Sequence, residues 1–217
     1  MALTFPKAII FDWDNTLVDS WPAIMDAINQ TRKHYGLETW SLPEIKKNCT
    51  RAARDSFPEW FGEEWEVAYA YYYNAFDKVR KQYGIVTMPG ATELLKYLNE
   101  KEVPCFIVSN KRGDYLRIEI AQLKWKDYFT GVAGAHDAPK DKPAREHVVH
   151  ALTGSGHEPH PDIWFVGDSE ADVACARNAN CTPALIGTPE DAQKLGVELV
   201  FPDCQALETL LKSLQQK

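Results

Sequence analysis

The sequence predicts an α/β fold, a doubly wound, parallel, Rossmann-like sheet interrupted by an inserted all-helical cap. Three observations carry this. The apolar run Ala8-Ile9-Ile10-Phe11 reads as a strand buried on both faces. From residue 88 onward, short apolar runs alternate with amphipathic helical patterns, which is the grammar of a parallel sheet. Residues 18–87 show helical periodicity and many aromatic residues, and nothing there reads as a buried parallel strand. The expected division is therefore a core of residues 1–17 and 88–217 and a helical cap of residues 18–87.

Taken in order, the first strand leads into Asp12-Trp13-Asp14-Asn15-Thr16, where Asn-Thr can turn the chain. Ser20 can cap the first helix, with Pro22 in its first turn, and Gly36 ends it. Ser41-x-x-Glu44 with Pro43 reads as a capping box. Pro58 and Gly62 interrupt next, and Glu63 to Tyr83 reads as one long helix closed by Gly84. Its series Tyr69, Tyr72, Tyr73 and Phe76 is expected to form cap core.

After Pro89-Gly90, helices are expected over 91–100, 114–123, 144–152 and 170–178. Strands are expected over 103–108, 129–133, 163–166, 184–186 and 197–201. Leu207, Leu210, Leu211 and Leu214 line a final helix. Asn180 stands at a helix end and tolerates the left-handed conformation better than most residues.

The chain has 217 residues and a net charge of −7, without a basic run, so neither nucleic acid nor an anionic membrane is expected as a main partner. No apolar run approaches the roughly 18 residues that would span a bilayer. The five cysteines are odd in number and form no CxxC, which suits reduced structural thiols. The first strand starts near residue 8, which leaves no room for a signal peptide. A cytoplasmic protein, monomer or homodimer, is expected.

The chemistry lies at predicted strand ends. Asp12 and Asp14 are two residues apart, so they point the same way past the carboxyl end of the first strand, where open α/β sheets bind ligands. The alternative is a strand that simply exits into an acidic turn. Ser109-Asn110 follows a second strand, and Asp168 with Asp172 follows a third; in a parallel sheet all open on one edge. Lys142, in Asp141-Lys142-Pro143, lies in the loop before a helix, and Lys140 competes for its role.

This set supplies what phosphoryl transfer needs. One carboxylate can attack phosphorus and a second can move the proton of the leaving oxygen and of water. A hydroxyl, an amide and an ammonium can hold phosphoryl oxygens, and remaining carboxylates can bind Mg²⁺, a hard ion that prefers oxygen.

Four ordered motifs, Asp12-Trp13-Asp14-Asn15-Thr16, Ser109-Asn110, Lys142-Pro143 and Gly167-Asp168-Ser169-Glu170-Ala171-Asp172, resemble those of the haloacid dehalogenase-like superfamily of hydrolases, in its phosphoglycolate phosphatase-like branch. The helical block falls where this superfamily inserts its cap. The resemblance implies a Mg²⁺-dependent phosphatase acting on a small phosphorylated metabolite through an aspartyl-phosphate. Asp12 would be the nucleophile and a metal ligand. Asp14 would be the general acid/base, with its main-chain carbonyl on the metal. Lys142 would bridge nucleophile and phosphate. Ser109, Asn110 and Thr16 would contact the phosphate, and Asp168 and Asp172 would complete the metal site.

An aspartate at position 14 favours a phosphate ester over a dehalogenase or phosphonate hydrolase reaction. A phosphomutase of the same superfamily and a non-catalytic binding protein on this fold are the alternatives. Trp13, bulkier than usual between the aspartates, is expected to pack inside. Arg145 stands where the family more often has a second proline.

Substrate choice would come from the cap. Arg51 and Arg54, if helical, share a face and would suit an acidic substrate; a solvated face with Arg54 near Asp55 is the other reading. Lys111 and Arg112 either face the cap opening or lie at the surface. His147, His150, His157 and His160 form no metal-ligand spacing and are expected to be solvated.

Overall fold

The computed structural model describes residues 3–215. The chain forms two compact units, residues 1–18 with 87–217, and residues 19–86.

The first unit opens with β1 (Ala8–Phe11), all four of whose residues are buried. A tight turn follows. Asn15 takes a left-handed conformation (φ 63°) and its N–H donates to the Val18 carbonyl at 2.6 Å. The two-residue strand β2 (Val18–Asp19) then leads into the second unit, which holds α1 (Trp21–His34), α2 (Leu42–Asn48), α3 (Ala53–Phe61) and α4 (Trp65–Tyr83). Strand β3 (Val86–Thr87) pairs with β2, and this ribbon marks where the chain leaves and rejoins the first unit.

The remaining elements alternate. They are α5 (Ala91–Glu100), β4 (Cys105–Arg112), α6 (Gly113–Leu123), β5 (Gly131–Ala135), α7 (Arg145–Leu152), β6 (Ile163–Gly167), α8 (Glu170–Asn178), β7 (Thr182–Ile186), α9 (Pro189–Leu195), β8 (Leu199–Phe201) and α10 (Cys204–Gln215).

The main sheet has six strands in the order β5-β4-β1-β6-β7-β8, all parallel. Counted along the core alone this is 3-2-1-4-5-6, the doubly wound order whose switch point lies between β1 and β6, the place where ligand crevices open. Ala8 and Ile10 pack with Phe106, Phe165, Val148 and Cys175 on one face of the sheet. The burial of the alternate residues Ile9 and Phe11 shows that the other face is covered too.

The helical unit is built on aromatic contacts. Phe57, fully buried, meets Trp60, Phe61, Tyr69 and Tyr72 with ring centroids 5.0–5.5 Å apart. Tyr72 and Phe76 are buried, whereas Tyr69 and Tyr73 are only half-buried, so the series splits between core and rim.

Several local expectations change. Pro58 does not interrupt the chain but lies inside α3. The segment 18–87 is not wholly helical, because β2 and β3 bound it. Strand β4 runs on through Ser109 and Asn110 to Arg112, with an irregularity between Val108 and Arg112, and does not stop at residue 108. Helix α9, with Thr188 accepting from the Asp191 N–H as its cap, carries no strong apolar stripe. Ser20 stands at the start of α1 without a side-chain cap bond, while the Ser41–Glu44 box forms. Asn180 adopts φ 57°.

Candidate active site

Two strand ends and the start of a helix converge at the switch point. Asp12 follows β1, and its N–H donates to the Val166 carbonyl of β6 at 2.8 Å, which places its side chain beside the β6 terminus. Asp168 follows β6. Helix α8 begins directly after, capped by Ser169, and its first turn brings Asp172 back over the strand end. Gly167 makes this possible, since a Cβ there would meet the Asp172 Cβ and Cγ at 2.3 Å. Carboxylate oxygens of Asp12, Asp168 and Asp172 lie within 4.8 Å of one another.

Lys142 enters from the loop before α7. Its Nζ donates to Asp12 Oδ1 and to Asp172 Oδ1, each at 2.6 Å, and its side chain is 3% exposed. Asn110 fixes this loop by a two-point clamp, its Oδ1 accepting from the Lys142 N–H at 3.0 Å and its Nδ2 donating to the Lys142 carbonyl at 3.3 Å. Lys140, the competing candidate, is exposed and pairs with Glu146.

A second lysine completes the edge. Lys111 Nζ lies 2.6 Å from Asp14 Oδ1 and 2.7 Å from Glu119 Oε2. Trp13 is fully buried, edge-on to Trp125, and its Nε1–H donates to the same Glu119 oxygen at 2.7 Å.

The electrostatics follow from burial. Removal from water, with Asp172 and Asp14 nearby, pushes the Asp12 carboxyl up to about 7 although Lys142 pulls the other way. Burial, then the charges of Asp12 and Asp172, raise Asp168 well above the usual range. Burial works against the charge of Lys142, but Asp12 and Asp172 outweigh it and hold the ammonium protonated. Asp14 and Glu119 do the same for Lys111. Five carboxylates (Asp12, Asp14, Glu119, Asp168, Asp172) thus surround two ammonium groups, a formal excess of three negative charges. All-oxygen donors with excess negative charge fit a hard divalent cation such as Mg²⁺.

The predicted residues therefore separate. Asp12, Asp168, Asp172 and Lys142 form one connected group, and Asp14 sits two residues from Asp12 on Lys111. Ser109 is buried within β4, with its Oγ accepting from the Lys111 N–H at 3.2 Å. Asn110 departs from expectation, because its amide holds the Lys142 backbone in place of a phosphate. Asp172 stays in the acidic group with Asp12 and Asp168, while its Oδ1 also accepts from Lys142 and its Oδ2 from the Ser169 N–H and Oγ at 3.0 and 2.5 Å.

Thr16 is wholly buried and its carbonyl accepts from Cys204 Sγ; the described contacts do not tie it to the acidic group. Arg51 lies in a bend before α3 and pairs with Glu59, so it does not share a helical face with Arg54, which is half-buried within α3. His147, expected at the surface, is fully buried on the inner face of α7, with Nε2 3.1 Å from the Gly134 carbonyl.

Lys111, read as facing the cap opening or the surface, is instead buried on Asp14, and Glu119 escaped the sequence reading; both left a signal. Lys111 is two residues beyond Ser109 on a strand path and so shares its direction. Glu119 occupies a position of the apolar stripe formed by Tyr115, Leu116 and Ile120.

Residues 9–186 match the family model of haloacid dehalogenase-like hydrolases. A phosphoglycolate phosphatase of Chromobacterium violaceum is 31% identical over 98% of this chain and 100% of its own length. Among solved structures, a hydrolase of this superfamily from Ehrlichia chaffeensis is 28% identical with TM-score 0.69, over 99% of this chain and 100% of that one. A Lactobacillus plantarum protein reaches TM-score 0.82 at 26% identity, over 96% of this chain and 100% of that one. With the whole signature region matched and the strand-end carboxylates in place, this chain belongs to the haloacid dehalogenase-like hydrolases.

Proposed function

We propose that this phosphoric monoester hydrolase cleaves a small-molecule phosphate monoester, phosphoglycolate foremost, through an aspartyl-phosphate on Asp12 and with Mg²⁺ as cofactor. The observation that carries the reading is Asp12 at the β1–β6 switch point, bridged to Lys142, with Asp14 two residues on. The substrate class rests on the likeness to the Chromobacterium violaceum enzyme over both full lengths.

In the first step an Asp12 oxygen attacks phosphorus and the bond from phosphorus to the ester oxygen breaks. Asp14 gives its proton to that departing oxygen. In the second step Asp14 takes a proton from water as the water oxygen attacks phosphorus. The bond to Asp12 breaks and phosphate leaves. Lys142 keeps a positive charge beside the nucleophile and the incoming phosphoryl oxygens, and the Ser109 hydroxyl donates to one of them. Asp12, Asp168 and the Asp14 carbonyl would hold Mg²⁺. Asp172 would complete the metal site, directly or through water, and also anchors Lys142. When bound, Mg²⁺ supplies positive charge against the phosphoryl oxygens.

The test is phosphate release from phosphoglycolate, sugar phosphates and nucleotides, with and without EDTA, in the wild type and in Asp12→Asn. Release that stops with EDTA and falls at least about 10⁴-fold in the variant is expected. Activity that survives both treatments overturns the mechanism, and transfer of the phosphoryl group to a second hydroxyl of a hexose phosphate would mark a mutase.

A further inference from the structure

We propose that Lys111 is a positioning residue for the general acid/base Asp14, held in place by Glu119 and Trp13; this rests on the phosphatase reading above. Lys111 lies on β4, Trp13 and Asp14 follow β1, and Glu119 is on α6, so three separate elements meet in this group. Trp13 Nε1–H and Lys111 Nζ both donate to Glu119 Oε2 at 2.7 Å, and Lys111 Nζ also donates to Asp14 Oδ1 at 2.6 Å. Because Trp13 and Asp14 are neighbours in the chain, these contacts close a ring through the backbone. Trp13 thus does more than fill the core beside Asp12.

The ring has a mechanical consequence. An ammonium offers three donors and no acceptor, so Lys111 cannot take the catalytic proton while charged. It can fix one oxygen of Asp14. The Lys111 and Glu119 side chains are each 5% exposed, and both elements that carry them are packed, so this anchor is far stiffer than the partly exposed Asp14 carboxyl would be alone. A general acid must stand within hydrogen-bond reach of the leaving oxygen, and small misplacements are expensive in rate. Glu119, itself fixed by the Trp13 N–H, also fixes Lys111, since Lys111 cannot swing away without stranding a buried carboxylate.

Such a role predicts a leaving-group signature. Proton donation matters for an alkyl ester, whose departing oxygen is strongly basic. It matters little for 4-nitrophenyl phosphate, whose phenolate leaves as a stable anion. The value of kcat/KM reads the step up to the first irreversible cleavage and so excludes the later hydrolysis of the intermediate.

In Lys111→Met, kcat/KM for phosphoglycolate is expected to fall about 10²-fold, within the range of general-acid contributions. For 4-nitrophenyl phosphate it is expected to change by less than about threefold, which also reports an intact fold. Glu119→Gln, which removes a charge and preserves shape, should show the same selectivity at smaller size. Equal loss on both esters in Lys111→Met overturns the proposal, as does a rise in KM on both with kcat kept, which would assign Lys111 to substrate binding. If Lys111→Met does not fold, Glu119→Gln decides: selective loss supports the role, and equal loss or none overturns it. A wild type inactive on both esters overturns the phosphatase reading itself.

Discussion

Lys142 and Lys111 are built alike, yet they serve different parts of the edge. Each is a buried ammonium that bridges two carboxylates at 2.6–2.7 Å. They differ in what surrounds the bridged acids. The side chains of Asp12 and Asp172 are 7% and 1% exposed, whereas that of Asp14 is 20% exposed. The difference follows the chemistry. A carboxylate that must attack phosphorus gains from a dry, charge-compensated site, while one that must give and take a proton needs access to the leaving oxygen and to water. Both arrangements place a cation beside an aspartate; the dryness, more than the pairing, distinguishes the two aspartates and suits the roles proposed for them.

Removing the charge on the drier side is the sharpest way to break this comparison. Lys142→Met leaves Asp12 and Asp172 buried against Asp168 without an ammonium. Breaking such a pair from one side costs about 3–5 kcal/mol, so a melting curve should move down by roughly 10 °C or more. Phosphatase activity should fall about 10³-fold, since a charge aimed at the phosphoryl oxygens is lost as well. A melting temperature within 2 °C of wild type, on the scale of roughly 2–4 °C per kcal/mol, would show that Lys142 is not what compensates the pair.

A cation should act on the same side, with a sign set by the raised carboxyls. Asp12 is pushed up to about 7 and Asp168 lies well above its ordinary value, both chiefly by burial. In the metal-free fold these groups keep protons that the unfolded chain has released above about pH 4. The stability contributed by Asp12 is therefore complete below pH 4 and is lost as pH rises through about 7, and Asp168 acts in the same direction. The proposed Mg²⁺ would bind the ionised acids and offset that loss. The rise in melting temperature on adding Mg²⁺ should thus be small at pH 5 and larger, by several degrees, at pH 8. An increment that is flat or shrinking with pH would remove the cation from this cluster.

What was legible in the sequence follows the same division. The sheet, the helical insertion and the Asp12, Asp14 and Asp168 edge could be read because each lies at a change of pattern, where an apolar run stops and polar residues begin, whereas Lys142, in a loop, was singled out from Lys140 only by the motif resemblance. Lys111 and Glu119 lie inside elements. A lysine within a strand and a glutamate on a helix ordinarily mean solvent, and only the packing of β4 against α6 turns them inward. Asn110 could be read as a site residue but not as a clamp, because its partner Lys142 is 32 positions away. His147 shows the same limit, since its burial depends on the facing Gly134 carbonyl. Within the helical unit, Arg51 and Arg54 carry charge without a pattern change, so their separation by the start of α3 could not be read.

Lys140 gives the smallest effect and the cleanest control on the Lys142 group. It lies two residues from Lys142, with the same charge and nearly the same place in the loop, and by spacing alone it could have served. Its side chain is 69% exposed and meets Glu146 at 3.1 Å, a surface pair worth at most about 1 kcal/mol. Lys140→Met should leave kcat/KM within about twofold of wild type and stability within about 0.5 kcal/mol, as surface substitutions do. A loss approaching that of Lys142→Met would mean that positive charge on the loop is enough. The contrast expected is instead between an ammonium held by Asn110 through its own backbone and one in water, so that anchoring selects which lysine faces the phosphate.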